Sequence, residues 1–206
     1  DAGRATAEEL KKARLAVARF LGAHPEEIIF TSSGSEANNL AISGIAGAYG
    51  KKREVIVTTK IEHPSVLEPV KRLEVEGFEV VYVDNNKEGL VDVEDLKKKI
   101  SKRTVLVSVM YANNEIGTIE PIVKIGKMIR EFRKKLEIEN WKLKIDGTRH
   151  VLFHVDACQA AGYLNMNVNN LGADLLSFNG SKIYGPRGAG VLYVRKGLKL
   201  EPMIRG

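Results

Sequence analysis

The sequence is poor in the residues that build disulfide frameworks and metal sites. Its 206 residues include one cysteine, Cys158, which excludes an internal disulfide and a cysteine-rich zinc site. The four histidines, His24, His63, His150 and His154, do not have the spacing of metal ligands. We therefore expect no metal centre.

Long apolar runs are also missing. No run reaches the roughly 18 residues that a membrane span requires. The first residues are charged and helix-like, whereas a signal peptide has a basic segment followed by an apolar one. These absences favour a cytoplasmic protein that does not enter a membrane.

The excess of positive charge is spread along the chain. The formal net charge is +6, but lysines and arginines are distributed over several segments, such as 51–53, 97–99 and 133–135. Such a distribution is typical of solvated helix faces rather than of one basic binding surface. We expect no nucleic-acid partner.

Strand and helix patterns alternate along the whole chain. Strands are predicted at 27–31, 55–59, 79–84, 105–110, 152–156, 175–178 and 190–195, and helices at 4–21, 36–50, 65–76, 92–100 and 121–135. Strongly apolar strands separated by helices predict an α/β domain of three layers, with a mainly parallel sheet between helices. The less regular stretch 136–150 contains an Asp-Gly pair typical of a hairpin turn, and we interpret it as a surface insertion. No repeat or linker indicates a second domain.

Ligands of such sheets bind near the carboxyl ends of the strands. The first predicted strand is followed there by a polar loop, Ser32, Ser33, Gly34, Ser35 and Glu36. Gly34 permits close backbone approach, the flanking hydroxyls can donate, and a helix N-terminus attracts anions. This pattern indicates a phosphate-binding loop. A capping box formed by Ser33 and Glu36 explains it as well.

Two further clusters hold an imidazole and carboxamides. Segment 62–65 places His63 directly before a helix, although a lone histidine is usually structural. Segment 113–117 places Asn113 and Asn114 after a very apolar strand, where amides can orient a ligand without adding charge. Turn formation explains the asparagines equally well.

The last two clusters carry an aspartate and a lysine. Asp156 ends a strand, with Gln159 three residues later, and can form a charged hydrogen bond with a protonated ring nitrogen. A metal or ribose contact, or a buried cap, is the alternative. Lys182 lies in a glycine-rich bend between two strands, where a partly desolvated amine can act as a nucleophile. A surface lysine is the alternative there.

A phosphate loop, an aspartate for a ring nitrogen and a reactive lysine at the ends of strands in one sheet together match a pyridoxal phosphate site. A nucleotide-binding Rossmann module is disfavoured. The first strand is not followed by a glycine fingerprint, and the next strand does not end in an acidic residue.

The chain resembles cysteine desulfurases of the class-V aminotransferase group, which have the type I pyridoxal-phosphate fold. The resemblance runs from residues 3–5 to 203–206, with Phe-Thr-Ser at 30–32, Glu-His at 62–63, Asn-Asn-Glu-Ile-Gly at 113–117, Asp-Ala-Cys-Gln at 156–159 and Lys-Ile-Tyr-Gly-Pro at 182–186 in family order. It implies that residues 1–206 form an incomplete cofactor-binding large domain. An N-terminal segment and a small C-terminal domain, which carries the sulfur-accepting cysteine and a substrate-binding arginine, are then expected outside these residues.

The resemblance also implies roles for individual residues. Lys182 is expected to form a Schiff base with pyridoxal 5′-phosphate and to move the Cα proton. The other expected contacts are Asp156 on the pyridine nitrogen, Gln159 on the ring hydroxyl, His63 stacked on the ring, Gly34 and Ser35 at the phosphate, and Asn114 on the substrate-carboxylate side.

Residues Asn179 and Ser181 are expected in the same cofactor site. Many relatives read Ser-Gly-His-Lys where this chain has Asn-Gly-Ser-Lys at 179–182, so Ser181 replaces a phosphate-contacting histidine. The other departure from the family is the insertion at 136–150. The Cys158 thiol is not expected to be the sulfur acceptor, because small residues of several kinds occupy its position in relatives, which indicates a small buried filler.

The activity implied by the resemblance is conversion of L-cysteine to L-alanine. Sulfur would pass as a persulfide to an acceptor protein for iron–sulfur cluster assembly or tRNA thiolation, and the enzyme would be a homodimer. A selenocysteine lyase, an aminotransferase and a non-catalytic partner protein with the same fold are the alternatives.

Overall fold

The structure, a computed structural model, describes residues 2–50, 54–138 and 151–205. Its helices are α1 (Ala2–Leu21), α2 (Gly34–Tyr49), α3 (Pro64–Val75), α4 (Val93–Lys99), α5 (Ile122–Ile138) and α6 (Val168–Leu171). Its strands are β1 (Ile28–Thr31), β2 (Val55–Thr59), β3 (Glu79–Val83), β4 (Thr104–Met110), β5 (Leu152–Asp156), β6 (Leu175–Asn179) and β7 (Gly190–Val194). Short 3₁₀ turns lie at Pro25–Glu27 and Gly180–Lys182.

The strands form one sheet of seven, in the order β1-β7-β6-β5-β4-β2-β3. Strands β6, β5, β4, β2 and β3 are mutually parallel. Strand β7 is antiparallel to both of its neighbours, β1 and β6. The predicted mainly parallel sheet is confirmed. Strands β2, β4 and β5 are buried along their whole length, as expected for strands covered on both faces.

Helices cover both faces of the sheet and produce the predicted three layers. Helices α2 and α3 pack on one face, where their apolar side chains meet Ile56, Leu106, Leu152 and Leu175. Helices α1, α4, α5 and α6 pack on the other face, which is centred on Phe153 and on Val107, Val109 and Val155.

The predicted elements are confirmed to within a few residues at their ends, with two differences. The single-turn helix α6 was not predicted, because four residues are too few to show helical periodicity. Helix α5 continues to Ile138, so the first residues of the predicted insertion are helical. The rest of that insertion, 139–150 with its expected hairpin, lies outside the described residues.

Three polar side chains interrupt the apolar layer beneath α2 and α3. Ser108 on β4, His154 on β5 and Ser177 on β6 are fully buried. Each lies two positions after a leucine that packs against α2 and α3, and side chains two apart on a strand share a face. The sheet therefore carries a polar strip that leads toward the carboxyl ends of its strands.

Candidate active site

A cavity opens at the carboxyl ends of the central strands. The residues that line it are Gly34, Ser35, His63, Ser65, Met110, Ala112, Asn114, Asp156, Cys158, Gln159, Asn179 and Lys182. Every predicted site residue except Ser181 is in this set. Ser181 is exposed, and although it precedes Lys182 it is not among the lining residues.

The amino end of α2 forms one wall of this cavity. The Ser33 hydroxyl accepts a hydrogen bond from the Glu36 N–H at 3.1 Å, so Ser33 caps the helix. The Glu36 carboxylate accepts the Ser32 N–H at 2.7 Å rather than the Ser33 N–H of a standard capping box. The capping interpretation of this loop is thus partly realised. The Gly34 and Ser35 N–H groups begin the helix and face no intrahelical acceptor, so the loop can also bind an anion.

His63 serves as the N-cap of α3. Its Nδ1 accepts the Ser65 N–H at 3.1 Å and lies 2.8 Å from the Ser65 hydroxyl. Because Nδ1 accepts a backbone proton, the imidazole proton is on Nε2. The ring is therefore held in one orientation at the edge of the cavity, which it helps to line.

The two asparagines after β4 have different environments. Asn113 is buried, and its Oδ1 accepts the N–H groups of Glu115 and Ile116 at 2.8 and 3.0 Å. Its amide N–H donates to the Ile61 carbonyl at 3.0 Å. Asn113 thus forms the turn, whereas Asn114 is exposed and lines the cavity. The turn interpretation holds for Asn113, and Asn114 lies where it can contact a ligand in the cavity.

Asp156 is buried at the base of the cavity. One carboxylate oxygen accepts the Asn38 amide at 2.7 Å, and the other accepts the Cys158 N–H at 3.0 Å. A carboxylate has about four lone-pair directions, so Asp156 can accept a further proton from a ligand. Asn38 was not among the predicted site residues; it lies in the second turn of α2 among small apolar residues. An asparagine on the buried face of a helix was the available signal.

A second carboxyl group, Glu62, is buried below His63. Its Oε1 accepts the Thr59 hydroxyl at 2.8 Å and the Met110 N–H at 3.0 Å, and its Oε2 is buried without a partner among the described residues. Burial, with nearby Asp156 adding to the effect, raises the pKa of Glu62 from its ordinary 4.5 to about 8. Glu62 is therefore neutral near pH 7 and adds no second negative charge beside Asp156.

Cys158 is half-buried at the cavity wall rather than a fully buried filler. A Cβ atom added at Gly34 would lie 2.4 Å from its sulfur, so only glycine fits opposite this thiol. Burial raises the pKa of Cys158 well above its usual range, and the neighbouring Asp156 adds to this effect. The thiol is protonated near neutral pH, which agrees with the expectation that it is not the nucleophile.

The family model for class-V aminotransferases matches residues 1–206. The chain belongs to this family. It is 46% identical over 204 residues to the cysteine desulfurase IscS of Dictyoglomus turgidum. The aligned residues make up 99% of this chain and 48% of that protein. It is also 44% identical over 203 residues to a mitochondrial cysteine desulfurase of Candida albicans. That alignment includes 98% of this chain and 38% of the relative.

A similarity in structure accompanies the similarity in sequence. A solved NifS-like protein superposes with a TM-score of 0.89 at 37% identity, covering 100% of this chain and 52% of that one. The three-layer fold is thus the type I fold of pyridoxal-phosphate enzymes. The chain spans about half the length, or less, of the curated relatives named above.

Class-V aminotransferases use pyridoxal 5′-phosphate, and the lining residues fit that group. The start of α2 presents N–H groups for a phosphate, the Asp156 carboxylate has acceptor capacity for a protonated ring nitrogen, and Lys182 supplies a primary amine. The Asn179 Oδ1 is buried at this cavity without a partner among the described residues, as expected of a group that awaits a ligand. The class-V family and its cofactor therefore agree with the geometry.

In the part of the chain that the structure describes, no cluster of three or more histidine, cysteine, aspartate or glutamate side chains is arranged to hold a metal ion. None of the described helices is both long enough and apolar enough to cross a membrane.

Proposed function

We propose that the full-length protein is a pyridoxal-phosphate-dependent cysteine desulfurase that converts L-cysteine to L-alanine. The observation that most directly supports this proposal is that Lys182 and Asp156 line one cavity together with the start of α2. The two residues lie at, or just after, the ends of two different strands. The 46% identity to a cysteine desulfurase over nearly the whole chain supports the choice of substrate.

The lining residues have two roles in this proposal. Several bind the cofactor, and one of them, Lys182, also moves a proton. The start of α2, with Gly34 and Ser35, is assigned to the phosphate, and Asp156 to the ring nitrogen. The Lys182 amine is assigned to covalent attachment of the cofactor and then, as general base, to removal of the substrate Cα proton. When bound, the cofactor accepts the electron pair left at that carbon.

Four more residues complete the proposed site. Gln159 is assigned to the ring hydroxyl, His63 to the ring face, and Asn114 to the side of the substrate carboxylate. Asn179 is assigned to the cofactor because its free carboxamide oxygen is buried at the cavity. The earlier expectation of a Ser181 contact has no support from the lining of the cavity, although Ser181 stays a candidate through its position next to Lys182.

The sulfur acceptor is proposed to be a thiol from sequence outside these residues. Cys158 is the only cysteine of the chain, and its raised pKa keeps it protonated. A thiolate supplied from outside attacks the substrate sulfur and forms an enzyme persulfide. The Cβ–S bond breaks and leaves its electron pair on the former cysteine, where Cβ takes up a proton; the Cα proton that Lys182 removed is then returned, and the product leaves as alanine. An acceptor protein for iron–sulfur cluster assembly or tRNA thiolation then takes the sulfur.

A homodimer, as the resemblance implied, completes the proposal, and its location in the cytoplasm follows the expectation from the missing apolar runs. The curated relatives include a mitochondrial enzyme as well as bacterial ones. The alternatives of selenocysteine lyase and aminotransferase share the cofactor residues and differ in substrate. A non-catalytic partner protein would have no use for Lys182 in this cavity.

The test compares Lys182→Ala with Lys97→Ala in the full-length protein. Lys97 is exposed on α4, away from the cavity, and alanine is favourable in a helix. After gel filtration the parent and Lys97→Ala should retain visible cofactor absorbance and release alanine and sulfur from L-cysteine, whereas Lys182→Ala should do neither. Retention of covalently bound cofactor by Lys182→Ala would overturn the assignment. A higher kcat/KM for L-selenocysteine or for amino transfer than for L-cysteine would favour the corresponding alternative.

A further inference from the structure

A buried chain of hydrogen bonds runs beneath the cavity and ends at Asp156. Ser108 Oγ lies 2.8 Å from His154 Nδ1, and His154 Nε2 lies 2.6 Å from Ser177 Oγ. The Ser177 hydroxyl donates to Asn38 Oδ1, and Asn38 Nδ2 donates to Asp156 Oδ2 at 2.7 Å. All these side chains are buried, with at most 4% of their surface exposed.

Each bond in this chain can have only one direction. The carboxylate of Asp156 accepts, so Asn38 must present its amide N–H and use its carbonyl oxygen as the acceptor for Ser177. The Ser177 oxygen is then left to accept from His154 Nε2–H, and His154 Nδ1 accepts the Ser108 hydroxyl. Burial lowers the pKa of His154 to about 4, so its ring carries one proton, as this order requires.

The same amide group reaches a second residue of the cavity. Asn38 Nδ2 also donates to the Ser65 hydroxyl at 2.8 Å, and that hydroxyl lies 2.8 Å from His63 Nδ1. The Ser65 hydroxyl accepts from Asn38 and therefore has its own proton available for His63. One carboxamide is thus joined both to Asp156 and to His63.

We propose that Asn38 is a positioning residue that holds Asp156 and His63 in register with each other, and that Ser177 and His154 fix the orientation of its amide. The proposal rests on the proposed function, which assigns Asp156 and His63 to the ring of the cofactor. Asn38 does not line the cavity, so it acts through these two side chains. A reversed amide would place its carbonyl oxygen against the Asp156 carboxylate, with two acceptors facing each other.

The direction of the hydrogen bonds can be tested without cofactor. Nitrogen-15 NMR of the full-length, cofactor-free protein reports which ring nitrogen of each histidine carries the proton. We expect His154 and His63 both to be protonated on Nε2, and Ser177→Ala to abolish the protection of the His154 Nε2 proton against solvent exchange. Protonation of His154 on Nδ1, or on both nitrogens near pH 7, would overturn the proposed order.

The positioning role is tested by cofactor binding, with Thr58→Val as the matched control for Ser177→Ala. The Thr58 hydroxyl is also fully buried on a central strand, and it donates to the Ser108 carbonyl at 3.0 Å without taking part in the side-chain hydrogen-bond chain. Both variants lose one buried hydroxyl, but Ser177→Ala leaves His154 Nε2 and Asn38 Oδ1 unpaired and should therefore lose more thermal stability than Thr58→Val. Only Ser177→Ala should raise the Kd for pyridoxal 5′-phosphate, by about tenfold, the effect of weakening one hydrogen bond to a charged group.

Two further variants guard against a misfolded Ser177→Ala protein. Ser177→Thr keeps the hydroxyl and should restore cofactor binding, which a purely structural role of the small side chain would not predict. Ser108→Ala, at the far end of the chain, should weaken binding less than Ser177→Ala and more than Thr58→Val. Equal Kd values for all variants, or equal losses in Ser177→Ala and Thr58→Val, would overturn the proposal.

The parent protein is also assayed for release of alanine from L-cysteine. A parent that binds pyridoxal 5′-phosphate and does not act on cysteine would contradict the proposed function. The ratios of Kd among the variants would still decide the role of Asn38, so the two failures are distinguishable.

Discussion

Replacing Glu62 with glutamine should change the pH dependence of stability more than any other single substitution near the cavity. Glutamine has nearly the same shape, and its Oε1 can keep the hydrogen bonds from Thr59 and Met110. It cannot ionise. The variant therefore separates the charge of Glu62 from its packing.

The magnitude follows from the pKa of Glu62, which burial raises from 4.5 to about 8. A carboxyl group whose pKa is raised in the folded protein contributes its stability fully below its unfolded pKa, and that contribution is lost as pH rises through the folded pKa. At about 1.4 kcal/mol for each pH unit, the parent should lose about 3 kcal/mol relative to Glu62→Gln by pH 7. The loss should level off at about 5 kcal/mol above pH 8.

The assay is urea unfolding of the cofactor-free protein between pH 4.5 and pH 8.5. The new amide N–H₂ of the variant replaces an oxygen that has no partner, which costs about 1–3 kcal/mol independently of pH. The decisive quantity is therefore the slope of the difference in free energy of unfolding, and not its absolute value. Glu68→Gln, on the exposed face of α3, is the control for loss of a carboxylate. A difference between Glu62→Gln and the parent that stays constant with pH would refute the reasoning, because it would mean that Glu62 is ionised in the folded protein.

Three other substitutions test the packing of the site and its surroundings. Gly34→Ala should destabilise the protein by about 1–3 kcal/mol in thermal unfolding and weaken cofactor binding, because its Cβ would lie 2.4 Å from the Cys158 sulfur. Adding Cys158→Ala should recover most of both losses, and an additive double variant would contradict the steric explanation. Arg133→Met should cost about 1–3 kcal/mol, since it removes one of the two guanidiniums that pair with buried Asp174, the other being that of Arg195, and leaves the Val151 carbonyl without its donor; an unchanged Tm would contradict this. Ser181→Ala should change the Kd for pyridoxal 5′-phosphate by less than about twofold, because Ser181 does not line the cavity and an exposed hydroxyl contributes little; a tenfold increase would return Ser181 to the phosphate site.

Local sequence patterns were sufficient for most elements of this fold. Strand β2 was predicted with its observed bounds because Val55–Thr59 consists entirely of β-branched residues, which favour strands. Helix α6 was missed because a single turn has no detectable period. The extension of α5 to Ile138 was missed because no glycine or proline soon after Lys135 marks the end of the helix.

The candidate site was predictable to a similar extent, and for a geometric reason. Parallel strands bring their carboxyl ends to one edge of the sheet, so polar clusters that each follow a strand must meet there. Lys182 and Asp156, 26 positions apart in the sequence, line the same cavity for this reason. Local pattern did not distinguish Asn113 from Asn114, and only the family resemblance selected Asn114, since which of two adjacent amides closes a turn depends on the backbone around it.

The sequence by itself determined the alternation of elements, the burial of the central strands and most of the polar residues that face the cavity, because each depends on local pattern and on the direction of parallel strands. Only the tertiary structure decided the neutral state of Glu62, the fit of Gly34 against Cys158 and the partners of Asn38. These properties arise from contacts across layers, as between Ser177 and Asn38, which are 139 positions apart. Burial and hydrogen-bond direction belong to such contacts and not to any one segment, so no local pattern encodes them.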